Sequence, residues 1–153
     1  MKSLNYAILI SAAVFLVNCS DDSSTVIDDD LNFIANTVAG FSRAINRNDT
    51  SDLATLVSDS VTIIHPNKPA QEGLTAFNRF ILKSNWEQFQ MASPKIEHSG
   101  EISIVTSIIN FKIDQTKPKD PIKYNGEILL YIRRQEDGFW KIKKLVYSSW
   151  KSE

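Results

Sequence analysis

The spacing of apolar residues divides the chain into an uncharged leading run, an acidic polar stretch, a helical region and a strand-rich region. Tyr6 to Val17 carries no charge and follows Lys2 closely. A helix over that run would rise about 18 Å, short of the roughly 30 Å hydrocarbon core of a bilayer. The run therefore reads as the apolar segment of a secretory signal rather than a membrane span. Ser20 to Asp30 holds five aspartates and no cation. It has no face to bury and reads as a solvated tether ending in Asp30, a good helix N-cap.

Leu31, Ile34, Val38, Phe41 and Ile45 then fall three or four positions apart, which places them on one stripe of a helix. The polar run Asn46-Arg47-Asn48-Asp49-Thr50 ends it. A short second helix carrying Leu53, Leu56 and Val57 starts from Thr50, Ser51 or Asp52. Val61 to His65 is a short β-branched strand stopped by Pro66, and 67–72 is a loop. Gly73 introduces a third helix through Leu74, Phe77 and Ile81, with Phe80 beside them. Trp86 and Phe89 extend the apolar surface, and Lys83-Ser84-Asn85 is a point at which the helix can break before them. After Pro94 the period changes to that of strands: Lys95 to His98, Glu101 to Asp114, Lys123 to Arg134 and Phe139 to Trp150. Asp137-Gly138 is a strong hairpin signal. Helices followed by hairpin-linked strands predict an α+β fold, with the helices packed on one face of an antiparallel sheet.

Two stretches resemble known families. Leu16-Val17-Asn18-Cys19, at the end of the apolar run, resembles the bacterial lipoprotein signal (lipobox), with Asn18 where Gly, Ala or Ser is most common. The resemblance implies cleavage before Cys19 and lipidation of its thiol. It divides the chain into a signal peptide at 1–18, a lipidated acidic tether at 19–30 and a domain at 31–153. Several acyl chains hold a protein on a membrane stably where one does so only marginally. The acidic run after Cys19 resembles the surface-export signal of some Gram-negative lineages, so the implied location is exported and lipid-anchored, at the bacterial outer membrane or cell surface. The second resemblance spans Leu31 to Trp150. Ala44-Ile45-Asn46-Arg47-Asn48-Asp49 before Leu53-Ala54-Thr55-Leu56, Glu72-Gly73-Leu74-Thr75-Ala76-Phe77, and Asp137-Gly138-Phe139-Trp140-Lys141-Ile142 are similar to the cone-shaped nuclear transport factor 2-like superfamily and its SnoaL-like and DUF4440-type domains. That implies a strongly curved sheet around N-terminal helices, a pocket at the open end of the cone, and a homodimer through the outer sheet face.

Composition narrows the chemistry. The 153 residues carry 17 Lys and Arg against 18 Asp and Glu, a net charge of -1. The average conceals an acidic tether beside a domain of net charge +3 over Leu31 to Glu153. Neither part suggests a nucleic-acid binder in an exported protein. Cys19 is the lone cysteine, and His65 and His98 are the only histidines, too few soft ligands for a zinc site. No phosphate-cradling glycine loop or Gly-x-Ser-x-Gly elbow occurs. No cofactor or metal is expected.

Among the remaining candidates, His65 shares a strand face with Val61 and Ile63 and so points into the cone as a base or a hydrogen-bonding group. Asp114, Glu127, Tyr124 and Tyr131 are the acids and phenols available to assist it. Tyr131 shares the face of Glu127, Leu129 and Arg133, opposite Ile128, Leu130 and Ile132. Trp86, Trp140, Tyr147 and Trp150 are aromatic candidates for lining an apolar pocket or for the core. The leading expectation is a cell-envelope lipoprotein whose domain binds a small apolar ligand or a protein partner without catalysis. The alternative is a SnoaL-like isomerase, cyclase or hydratase with His65 as general base.

Overall fold

The computed structural model describes residues 23–66, 68–84, 86–113, 122–148 and 151–152. The proposed signal, Cys19, Asp114 and Trp150 lie outside the described residues. The elements run α1 (Ser23–Arg47), α2 (Thr50–Leu56), β1 (Val57–Ile64), β2 (Gln71–Glu72), α3 (Leu74–Ser84), β3 (Trp86–Ser99), β4 (Ile102–Ile113), β5 (Ile122–Arg134), β6 (Trp140–Tyr147) and β7 (Lys151–Ser152).

The apolar stripe of α1 behaves as its spacing demands: Ile34, Val38, Phe41 and Ile45 are all buried. Its end is set locally. Asn48 adopts a left-handed φ of 50°, and the Asn48 and Asp49 amides donate to the carbonyls of Ile45 and Ala44, each at 3.0 Å. Asp49 then caps α2, accepting from the amides of Ser51 and Asp52 at 3.0 Å each.

The beginning of α1 differs from expectation. The helix starts at Ser23, so the second half of the expected tether is helical, and Asp30 sits inside the helix as a buried residue instead of capping it. The physical reason is a partner far along the chain. The Trp140 indole N–H donates to Asp30 Oδ1 at 3.2 Å, which gives that carboxylate a reason to leave solvent.

The sheet has seven strands, ordered β2-β1-β6-β5-β4-β3, with β7 beside the early part of β5. It is mixed, not wholly antiparallel. The hairpin-linked β3 to β6 pair antiparallel, but β1 runs parallel to β6, with Ile63 opposite Leu145 and Ile64 opposite Val146. The Asp137-Gly138 turn forms as predicted, with Gly138 at φ 85° and the Phe139 amide bonded to Asp137 Oδ1 at 3.1 Å.

α3 ends at Ser84, inside the expected break, and Trp86 and Phe89 open β3, a 14-residue edge strand with irregular register between Glu87 and Gln90 and between Ala92 and Lys95. Gln88 and Ser93 take positive φ there, and Pro94 is tolerated because an edge strand needs no donor on its free side. Asn46 of α1 braces the first irregularity. Its side chain donates to Phe89 O at 2.8 Å and accepts from the Phe89 amide at 2.7 Å. The bulges bend the sheet around the helices. Between them lies one apolar core to which Phe41, Phe77, Ile81, Ile109, Leu130 and Ile142 belong.

Candidate functional site

His65 leaves the C-terminal end of β1, where Pro66 forces extended backbone and then removes the next donor. Alternation aims its ring inward, as predicted. It meets Phe80 edge-on at a centroid distance of 4.8 Å and Tyr147 edge-on at 5.1 Å. Phe80 comes from α3. Tyr147 closes β6, one step past the Ile64–Val146 pair, so the parallel β1–β6 ladder is what sets imidazole beside phenol. Gly73 fixes the third wall: at φ 89° its amide donates to Val61 O at 2.8 Å and its carbonyl accepts from Phe77 N at 3.0 Å, tying the start of α3 to the middle of β1.

On the side of His65 and Phe80 away from Tyr147 lies a pocket of about 590 Å³, within the range of small-molecule sites. Ala76, Arg79, Phe80 and Lys83 face it from α3, Lys68 from the preceding loop, and Gln71 and Glu72 from β2. Burial, helped by the charge of Lys68, holds the His65 imidazole below its ordinary pKa, so it is neutral at neutral pH. Its Nε2 is buried with no hydrogen-bond partner among the described residues. Burial pushes the Tyr147 phenol well above its ordinary range, so it stays protonated.

The other candidates separate from His65. Trp86 is buried in the aromatic interior, stacked on Phe89 at 5.3 Å and edge-on to Phe80 at 5.3 Å. Tyr124 stacks on Phe111 at 5.5 Å and joins that interior. Trp140 lies at the opposite end of β6 from Tyr147, about 23 Å away at a strand's rise per residue. There it packs edge-on to His98 at 5.2 Å, with His98 Nε2 3.8 Å and Arg134 Nη1 3.7 Å from the shared Asp30 carboxylate. Tyr131 and Glu127 are on the outer sheet face, with the buried Ile128, Leu130 and Ile132 turned the other way. That face carries a larger hollow, about 710 Å³, bordered by Thr106, Ile108, Glu127, Leu129, Val146 and the edge of Tyr147. Among the described residues no group of three or more His, Cys, Asp or Glu is placed to hold a metal ion. Tyr147 was legible only as an aromatic candidate; its place beside His65 depends on a pairing between segments eighty residues apart.

A curved mixed sheet closed by three helices, with a half-buried histidine and a phenol at one end, defines a small α+β domain built around an end pocket. The chain belongs to the SnoaL-like domain family, which matches residues 34–151. Solved structures share the fold. A candidate dehydratase of the nuclear transport factor 2-like family from Streptomyces avermitilis superposes with a TM-score of 0.67 at 22% identity, covering 79% of this chain and 96% of that one. A candidate scytalone dehydratase from Novosphingobium aromaticivorans gives 0.70 at 14% identity, covering 86% and 91%. A CaMKII hub from S. rosetta gives 0.64 at 17% identity, covering 76% and 94%. None of the curated proteins matches the chain in sequence.

Proposed function

We propose that this domain binds a small, largely apolar molecule in the His65 pocket, without catalysis, and does so at the bacterial cell envelope. The observation that carries the reading is His65 Nε2, a buried polar atom with no partner among the described residues, beside a pocket walled by Phe80 and Ala76. Such an atom costs stability until a ligand or a water satisfies it. The interior behind it is packed with aromatic rings, leaving the ligand at the mouth of the cone. Screening small aromatic compounds by thermal shift, with Ala76→Trp as a filled-pocket control, tests this. Stabilisation that Ala76→Trp abolishes is expected; no hit, or hits indifferent to that substitution, would refute it.

A second reading is favoured by one observation, the His65–Tyr147 pair. A neutral imidazole beside a phenol that stays protonated is a base and an acid in one place, and dehydratases are among the proteins that share the fold. In it His65 takes a proton and Tyr147 donates a hydrogen bond to the leaving or enolising oxygen. Turnover of a bound compound that disappears in both His65→Gln and Tyr147→Phe would replace the binding reading with this one.

The envelope location rests on Cys19 at the end of the Tyr6 to Val17 run. Cells fed an alkyne fatty acid should label the wild-type protein and not Cys19→Ala; equal labelling would remove the anchor from the proposal.

A further inference from the structure

The charges around the pocket say more about its ligand than its shape does. On α3, Ala76, Arg79, Phe80 and Lys83 are spaced at i, i+3, i+4 and i+7, which puts them on one stripe, while Phe77 and Ile81 on the adjoining stripe enter the core. That stripe is apolar at its start and centre, where Ala76 leaves room and Phe80 supplies a ring, and cationic further along. Lys68 adds a third cation from a separate segment. The single carboxylate on the lining is Glu72, and among the described residues none of Lys68, Arg79 and Lys83 takes part in an ion pair.

Three cations against one carboxylate on a small pocket leave an excess of positive charge, and each cation is exposed enough to have turned elsewhere. Lys83 has a separate reason to be where it is, since a cation in the last turn of α3 suits the helix dipole. Lys68 and Arg79 have no such reason. Arginine is also the side chain whose planar fork matches a carboxylate by two parallel hydrogen bonds.

Resting on the reading of this hollow as a ligand pocket, we infer that the ligand is an organic anion: a flat apolar body against Phe80 and His65, with a carboxylate at the rim on Arg79, Lys68 and Lys83. The bound carboxylate offsets part of the excess positive charge of the rim, and the ring fills the space that Ala76 leaves. A neutral molecule of the same shape fills the space but leaves the cations unpaired.

A matched pair of probes separates charge from shape: 2-naphthoate and 2-naphthamide, titrated into the full-length protein by calorimetry at low and high salt. Naphthoate should bind about tenfold more tightly at low salt, and the preference should shrink as salt rises, because exposed charges are screened beyond roughly 8 Å at physiological ionic strength. The double variant Arg79→Met and Lys83→Met changes only exposed side chains, so the fold is retained. It should cut the preference for naphthoate to the small share that Lys68 alone supplies; a preference that stays at its wild-type size would overturn the anion inference. In the wild type, naphthoate but not naphthamide should move the His65 ring titration upward by NMR. Equal affinity for the two probes, with both lost in Ala76→Trp, would overturn the anion inference and keep the pocket. Binding of naphthoate that survives Ala76→Trp, or no binding of either probe, would overturn the pocket and the inference together.

Discussion

His65 shows how one side chain couples the fold to its chemistry. The ring is held among aromatic neighbours, and burial disfavours its charged form. In the unfolded chain the same histidine titrates near pH 6.5. Because the folded value is lower, the unfolded state binds more protons as pH falls below about 6.5, and linkage makes stability fall with it. Above the unfolded value both states are neutral and the contribution is fully present. Urea unfolding of wild type and His65→Gln between pH 7.5 and 5 should therefore diverge: the wild type loses stability more steeply with acidification, and the variant lacks that component. Parallel pH profiles would show that the ring is no more buried than in the unfolded chain. The alternation of Val61, Ile63 and His65 is enough to predict the inward aim of the imidazole. What it meets is another matter, since Tyr147 and Phe80 reach it from β6 and α3.

At the scale of elements, local signals carried as far as local physics acts. The stripe of α1, the Asp137-Gly138 hairpin and the extents of β4 and β5 follow from periodicity and turn chemistry within a residue or two. Three features do not, each for a long-range reason. The parallel β1–β6 pair joins segments with about half of the chain between them, and no hairpin signal marks it. Asp30 reads as a cap because its partner, Trp140, stands 110 positions away. The strand around Trp86 and Phe89 does not show in the sequence before Pro94, because a bulged edge strand carries no regular alternation. That strand depends on Asn46, whose amide supplies both hydrogen bonds that the backbone at Phe89 would otherwise make to a neighbouring strand. Asn46→Ala should cost about 1–2 kcal/mol, the range for losing two partly exposed hydrogen bonds. It should also raise amide exchange at Phe89 more than at Ile109 in the adjacent strand. A cost within 0.3 kcal/mol, with unchanged exchange, would mean that the bulge holds without its brace.

The whole molecule presents two sheet faces of different character. The inner face is consumed by the core. On the outer face two rows of side chains run across three strands: Ile104, Tyr131 and Lys144, and beside them Thr106, Leu129 and Val146. Ile108, 54% exposed, and Ile102, 43% exposed, lie on the same face of β4. Large aliphatic side chains scattered singly on a surface need no account, but a contiguous set on a gently curved sheet is the kind of surface that pairs with a copy of itself. We propose that this face forms a twofold dimer, sheet against sheet at about 10 Å, which leaves the His65 pockets open at the cone ends. Packing of that kind buries on the order of 800 Å² per partner in a stable complex. Ile108→Lys places a charge in the middle of the patch without touching the core, so folding by circular dichroism should be unchanged. Sedimentation equilibrium in mild detergent should report a dimer for the wild type and a monomer for Ile108→Lys. Binding in the His65 pocket should be the same in both, because the pocket is lined by His65, Lys68, β2 and α3 of a single chain and by no residue of the outer sheet face. A wild type that sediments as a monomer, or an Ile108→Lys variant that remains dimeric, would place the self-association elsewhere or nowhere.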